Sequence, residues 1–476
     1  MTYLGAQNSI ALGVQGIIAI DTGTGAPAVV TDPYWANVSM LLHGDGTNAA
    51  QNNTFLDGST NNFTVTRNGN TTQGSFNPFV STYPYSVATN GGSAYFDGTG
   101  DYLSLASNAA LLPGAGDFTF ECWVLPTTTS QLNLFSVGSA ALGSSFAVYG
   151  YPAPSSMVAY TGLAGSTVQG PGFVQNVWNH IAVVRLSNNI TVYTNGVGGT
   201  AVANSQNLNE STVGCYVGAI YNASVTATPS AYISNARFVK GTAIYTANFT
   251  PPTAPLTAVT NTALLLGFTN GAIYDNAELN NLETVGTAQI STSVFKYGTG
   301  SVAVSGASNV LSTPSKTVLN VGAGDFTVEC WVYVTSFSNN NWIFGQSDSS
   351  GTAATRSISA YIDTAGGVTL QAFSGSTSYI ATGSSGTVTV NTWAHVACVR
   401  DGVTTRVYVS GVQRGTASIS TNVVNTSTYP LLIGDVGITG TFGFNGYIDD
   451  FRFTKGICRY PSGTTFTPPT AAFPNS

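Results

Sequence analysis

The segment GAGDFTFECWV at residues 114–124 returns as GAGDFTVECWV at residues 322–332, and three further matches follow in the same order. WNHIAVVR (178–185) returns as WAHVACVR (393–400), VYTNG (192–196) as VYVSG (407–411), and YISNARFVKG (232–241) as YIDDFRFTKG (447–456). Each copy closes on FTPPTA. Trp178 and Trp393 lie 215 residues apart, as do Arg237 and Arg452, while Trp123 and Trp331 lie 208 apart. A period that long describes two whole domains rather than a solenoid of short units. The 476 residues therefore divide into two modules and a short N-terminal extension.

Both modules are built for strands. Gly (54) and Pro (19) punctuate short runs of Val, Ile, Thr, Phe and Tyr, the pattern of a sandwich or barrel. FTFECWV places Phe118, Phe120, Cys122 and Val124 on one face and Thr119, Glu121 and Trp123 on the other. WNHIAVVR places Ile181 and Val183 on one face, with Trp178, His180, Ala182 and Val184 on the other. Apolar residues on both faces predict strands covered on both sides. ITVYTNGVGGTAV reads as a hairpin on an Asn-Gly turn. No segment carries a sustained helical period; SNAALLPGAG (107–116) reads at most as a helical turn, stopped by Pro113 and the glycines.

Charged residues make up 7% of the chain, against about a quarter in an ordinary soluble protein. The exterior must then be coated with neutral hydroxyls and amides. No apolar run approaches the roughly 20 residues needed to cross a bilayer, which argues against membrane insertion. The net charge is −7 and the 13 basic residues are scattered, which argues against a nucleic-acid partner. The first twenty residues lack a basic start and a trusted cleavage site, so they read poorly as a secretory signal. Of the five cysteines, Cys122, Cys215, Cys330 and Cys398 sit inside apolar alternating runs, where thiols pack as small hydrophobes. Cys215 has no counterpart in the second copy, and Cys398 aligns with Val183. Buried thiols, not a disulfide framework, are expected, in a chain that folds in a reducing cytoplasm.

Domain boundaries are expected near residues 36 and 257, giving an arm at 1–36 and modules at 37–257 and 258–476. The prolines of TPPTAPLTAV cannot continue a central strand and mark the second boundary. The arm has no equivalent in the second copy and reads as an attachment segment or a disordered leader.

The ordered set of motifs resembles the concanavalin A-like, laminin G-type jelly roll. LLHGDG (41–46), FLDGSTNNFTV (55–65), YFDGTGDYL (95–103), GDFTFECWV, WNHIAVVR, VYTNG and ARFVKGTAIYTANFTPP carry it in the first copy. LLLGFTNGAIYDNAELNN (264–281), GDFTVECWV, WAHVACVR, VYVSG and DDFRFTKGICRYPSGTTFTPP carry it in the second. The resemblance covers about residues 37–476 and implies an all-β fold of two tandem antiparallel sandwiches. The closing RF-x-KG, Tyr and FTPP are similar to versions in tailed-bacteriophage tail and fibre proteins, which implies a virion location.

Candidate residues follow from recurrence. Glu121 and Glu329 stand before Cys-Trp, and Arg185 and Arg400 end the WxH strand; a structural ion pair in each copy is expected. A glycosidase needs two flanking carboxyl groups, and Glu121 has no second carboxylate in its strand. His180 and His395, near Cys122 and Cys330, invite a cysteine–histidine nucleophile, but nothing marks those thiols as activated; sheet histidines are expected. His43 faces Leu266 in the alignment and has no twin. Calcium, implied by the laminin G resemblance, would take oxygen ligands. Its candidates are Asp45, Asp57, Asp275, Asp449 and Asp450, each weighed against an Asp that shapes a turn. Sugar stacking requires exposed rings beside amides and hydroxyls. The candidates are Tyr149, Tyr151 and Tyr160 in the first copy and Trp342, Phe373 and Tyr379 in the second, with subunit contacts an equal use for such rings. Asn-x-Ser/Thr triplets at Asn37, Asn62 and Asn248 are expected by chance.

The expected function is a non-enzymatic virion subunit (tail fibre, tail tip or head fibre) that adheres to host-surface glycan or protein, needs no cofactor and forms homo-oligomers. Its arm would join other virion proteins. A bacterial surface adhesin or carbohydrate-binding module, and a polysaccharide-degrading enzyme, are the alternatives.

Overall fold

FTFECWV becomes the strand Phe118–Pro126 because its aromatic and branched residues find cover on both faces. The computed structural model describes residues 31–79, 85–151, 156–162, 167–227, 229–438, 443–461 and 465–475. It sets this strand at the centre of a nine-stranded antiparallel sheet, between Asn179–Leu186 and Ser230–Lys240. Phe118, Phe120, Cys122 and Val124 point into a core shared with a facing seven-stranded sheet, where Phe120 stacks on Phe135 at 4.3 Å. The second copy repeats the plan: Phe326–Val334 centres an eight-stranded sheet that faces a seven-stranded one over Val328, Cys330, Phe344 and Leu370. Each half is a two-layer sandwich whose apolar faces close on each other. We call the sheet that contains the RF-x-KG strand the closing sheet and its partner the facing sheet. The turn expected at 107–116 is a 3₁₀ turn, Ala109–Leu111. Cys122, Cys215, Cys330 and Cys398 are buried, and burial pushes the Cys398 thiol up to about 12.

The sheets do not follow the division at residue 257. Val38–Leu42 opens the first copy but pairs with Asn445–Lys455 of the second sandwich, Leu41 opposite Arg452. Thr262–Leu266 opens the second copy but pairs with Ser230–Lys240 of the first, Leu265 opposite Arg237. The copies have exchanged their opening strands. Each exchange is fastened by an aspartate: Asp275 Oδ1 accepts from the Leu41 N–H at 2.9 Å, and Asp57 Oδ1 from the Leu265 N–H at 2.9 Å. The module limits 37–257 and 258–476 describe the repeat but not the folded units. Of the expected arm, residues 1–30 lie outside the described residues. Asp32 is bound to the second sandwich, where Arg452 donates at 2.9 Å and Arg459 at 2.7 Å.

The second sandwich also docks on the outer face of the first one's closing sheet. The Lys316 ammonium lies 3.8 Å from the ring centroid of Phe76 and 4.5 Å from that of Tyr232 and donates to the Leu279 carbonyl. Rings hold a cation through their quadrupole. Burial nevertheless pulls its pKa from 10.5 down to about 7, which the charge of Asp275 only partly opposes. Between these values the unfolded chain binds a proton that the folded chain has released, so this group makes stability rise with pH. We expect the wild type minus Lys316→Met difference in unfolding free energy to grow from pH 7 to pH 9.5, by up to about 1.4 kcal/mol per pH unit. Urea titrations of both proteins would show it; a pH-independent difference would contradict it.

Candidate functional site

Cross-strand neighbours share a face, and that parity sorts the recurring polar residues. Glu121 stands opposite Ala182 and Arg237, and His180 opposite Trp123; all lie on the outward face of the closing sheet. Arg185 stands opposite Phe118, on the core side. The expected Glu121–Arg185 and Glu329–Arg400 pairs therefore do not form. Glu121 instead takes Arg237 Nε at 3.0 Å and Nη2 at 2.5 Å, His180 Nε2 at 3.2 Å and the Tyr245 hydroxyl at 2.7 Å. Glu329 repeats this with Arg452 (3.1 and 2.8 Å), His395 (3.2 Å) and Tyr460 (2.6 Å). Burial alone would raise the Glu121 pKa, but the bond from His180 and the charge of Arg237 prevail and lower it. Arg185 serves as a loop clamp, donating to the carbonyls of Gly114, Gly116 and Gln206.

The closing motifs complete these clusters. Tyr245 stacks on Phe249 at 3.6 Å and Tyr460 on Phe466 at 3.7 Å. The chain then crosses the VYTNG and VYVSG turns so closely that a Cβ on Gly196 would sit 1.8 Å from the Phe249 carbonyl oxygen, and one on Gly411 1.9 Å from that of Phe466. Only glycine allows that approach, and both are at positive φ. The repeated signatures are a structural lock. Glu121 and Glu329 are buried beneath it. Cys122 lies opposite Ile181, on the other face from His180, so no cysteine–histidine pair forms there.

The calcium candidates are occupied by donors. Asp57 accepts from the N–H groups of Ser59, Phe63 and Leu265 and from the Ser59 hydroxyl. Asp275 accepts from the N–H groups of Leu41, Ala277 and Leu279 and from the Asn280 amide. Asp449 accepts from the N–H groups of Lys296, Tyr297 and Asp450, and burial pushes it up to about 7. Asp450 binds His43 Nδ1 at 2.5 Å and the Phe473 N–H at 3.0 Å, while Asp45 accepts from Thr299. A calcium ion needs converging free oxygens, and these carboxylates face N–H and O–H donors instead; the donor sets do not fit the ion. Among the described residues, no group of three or more His, Cys, Asp or Glu side chains could hold a metal. Asp450 and its twin Asn235 sit at the bulge of each closing strand with φ 47° and 52°, a conformation that Asp and Asn tolerate. That is why one replaces the other between copies.

The aromatic candidates divide. Tyr149 and Tyr151 form a T-shaped pair at 5.6 Å on the outer side of the first facing sheet, with Tyr151 41% exposed. Asn133 stands opposite Tyr149 but is buried, donating to the Thr226 carbonyl at 3.0 Å and accepting from Gln131 Nε2 at 3.2 Å. The exposed amides here are Gln131 and, two strands beyond Tyr149, Gln169. Tyr160 is tied by its hydroxyl to the Ala140 carbonyl at 2.9 Å. In the second copy, Trp342 and Phe373 are buried, and Arg356 lies 4.2 Å from the Phe373 ring centroid. Tyr379 packs against the core and accepts from Asn422. Trp342 and Phe373 offer no open ring face as expected, while Tyr379 is half-exposed. Three other half-exposed rings of the second copy, Tyr333, Trp393 and Tyr447, meet on the outer face of its closing sheet, with Tyr333 5.5 and 5.8 Å from the other two. In the first copy the equivalent face, with Trp178 and Tyr232, is the one that receives Lys316.

The model of one domain family matches residues 97–243 and 305–457, one segment in each sandwich. The chain belongs to the concanavalin A-like lectin/glucanases superfamily. No curated protein matches the sequence. Among solved structures, domains LG4-5 of the mouse laminin α1 chain are similar at 14% identity and TM-score 0.30, over 79% of this chain and 91% of that one. The CBM40 of Ruminococcus gnavus IT-sialidase bound to α2,3-sialyllactose is similar at 18% identity and TM-score 0.28, over 34% and 92%. A putative carbohydrate-binding protein from Bacteroides ovatus is similar at 14% identity and TM-score 0.29, over 34% and 48%.

In this lectin-like pair, the residues that sequence reasoning missed left a signal. Tyr361 stands where Tyr149 stands: Tyr149 adjoins Val148, which pairs with Phe135, and Tyr361 adjoins Ala360, which pairs with Phe344. The matching alternation of FAVYG and ISAYI carries it. Arg237 and Arg452 recur in the RF motif, and Trp393 and Tyr447 in the WxH and YI motifs. Trp393 could have been assigned to the outer face by its parity with His395 in the same strand, but the bulges at Asn235 and Asp450 break the count to Arg237 and Arg452.

Proposed function

We propose that this chain is a non-enzymatic adhesion subunit that holds host-surface glycans, and that it acts as a virion fibre or tail component. The observation that carries the glycan reading is the outward Tyr149–Tyr151 pair with the exposed amide of Gln131 on the side of the neighbouring strand. A pyranose ring lays its C–H face on such a ring while amides orient its hydroxyls. Family membership supports the same reading, because the superfamily includes lectins. The near absence of surface charge suits an exterior particle, and the closing motif resembles phage tail proteins. Adhesion would gain strength from many weak sites on one particle.

A glycan array with the intact protein tests the first half. Tyr151→Ala is expected to weaken the best ligand on the order of tenfold, about 1.4 kcal/mol, with unchanged thermal unfolding. No binding to any glycan or host envelope would remove the adhesion role. Immunogold labelling of purified particles tests the second half; label confined to a bacterial envelope fraction would favour a bacterial adhesin.

A further inference from the structure

We propose that the cleft between the two sandwiches is a second saccharide site, built jointly by both copies and selective for neutral or amine-bearing sugars over acidic ones. It rests on the glycan reading but uses none of the residues that carry it. The cleft has a volume of 260 Å³ and takes Asn70, Tyr95 and Asp97 from the first copy and Glu283, Ser315 and Pro430 from the second. Pockets for drug-sized ligands run about 300–1,000 Å³, so this one is sized for one or two sugar rings.

Its chemistry is that of a sugar site. Tyr95 points outward between the core residues Ala94 and Phe96 and leans on Tyr232 at 4.7 Å. It thus presents a braced ring at the cleft, with Pro430 as a second apolar surface. Carboxylates and amides beside it accept from and donate to vicinal hydroxyls. Asp101 holds the first-copy rim in place: its Oδ1 accepts from the Asn70 N–H at 2.7 Å and its Oδ2 from the Asp97 N–H at 3.0 Å. The two copies are tied across the cleft by Arg67 Nη2, which donates to Glu283 Oε1 at 3.1 Å. Asp97 and Glu283 are the charged residues among its walls, Glu283 paired with Arg67, while the Lys316 ammonium beside Ser315 is turned onto Phe76 and Tyr232. Acidic walls repel a uronate or sialate and attract a protonated amine. Neither copy alone supplies the cleft.

Calorimetric titration of the intact protein with diglucosamine, cellobiose and digalacturonate tests this. Diglucosamine is expected to bind at least tenfold more tightly than digalacturonate. Tyr95→Ala should weaken it at least tenfold, Glu283→Gln should reduce its advantage over digalacturonate at least threefold, and Tyr151→Ala should leave this site unchanged. Should Tyr95→Ala unfold, Glu283→Gln carries the test alone. Binding lost in Tyr151→Ala but unchanged in Tyr95→Ala and Glu283→Gln overturns the cleft site and leaves the glycan reading standing. Equal affinity for digalacturonate overturns the selectivity and with it this assignment. No binding of any saccharide by any variant overturns both.

Discussion

Glu121→Ala should lower the unfolding free energy by about 3–5 kcal/mol, because it strands a buried guanidinium and two hydrogen-bonding rings together. Arg237 has no other carboxylate within ion-pair distance among the described residues, and Glu121 also holds His180 and Tyr245. The twin makes the internal control. Arg452 keeps Asp32 at 2.9 Å when Glu329 is removed, so Glu329→Ala should cost measurably less than Glu121→Ala. Urea denaturation of the two variants checks the order, and equal losses would refute the role given to Asp32. Acid should remove the same contribution. Burial would raise the Glu329 pKa, but the charge of Arg452 and the bond from His395 hold it well below its ordinary 4.5. A carboxylate depressed on folding stabilises above its unfolded pKa and loses that effect as pH falls through the folded value. The wild type should therefore weaken on acidification below about pH 4, and Glu329→Ala should show a shallower slope.

Cutting the chain once, at an inserted protease site near residue 258, should not separate its halves. Each fragment carries a strand that belongs to the other's sheet: Val38–Leu42 sits in the second sandwich and Thr262–Leu266 in the first. Leu41, Leu42, Leu264 and Leu266 are buried there. Burying a leucine is worth roughly 1.5–3 kcal/mol, so two reciprocal strands with their Asp57 and Asp275 fastenings hold the nicked pair together. Gel filtration after cleavage should show one particle of the parent size. Fragments 1–257 and 258–476 made separately should each lack a strand and unfold well below the parent, then recover on mixing. Two independently stable fragments would rule out the exchange.

Much of this was legible before any coordinates. The alternation of FTFECWV and WNHIAVVR gave strands covered on both faces, and the central pairs of both closing sheets are those strands. Arg185 shows where reasoning by recurrence failed. It returns at the same place in each copy, but five residues from His180 it must point to the opposite face, so recurrence without parity named the wrong partner for Glu121. Trp342 and Phe373 failed for another reason. Aromatic character says that a ring will be apolar, not whether an Arg356 will lie across it.

Local alternation determined that this chain forms strands covered on both faces, in a sandwich or barrel, and repetition that it does so twice; the resemblance implied the sandwich. Alternation is a property of neighbouring residues, which decide what faces in and what faces out. Which opening strand joins which sheet was decided only by the tertiary structure. The strands VSMLL and TALLL present the same buried pattern to either partner, and a hydrogen-bonding edge does not distinguish its own copy from the other. The same holds for the cleft, which exists only where the two halves meet.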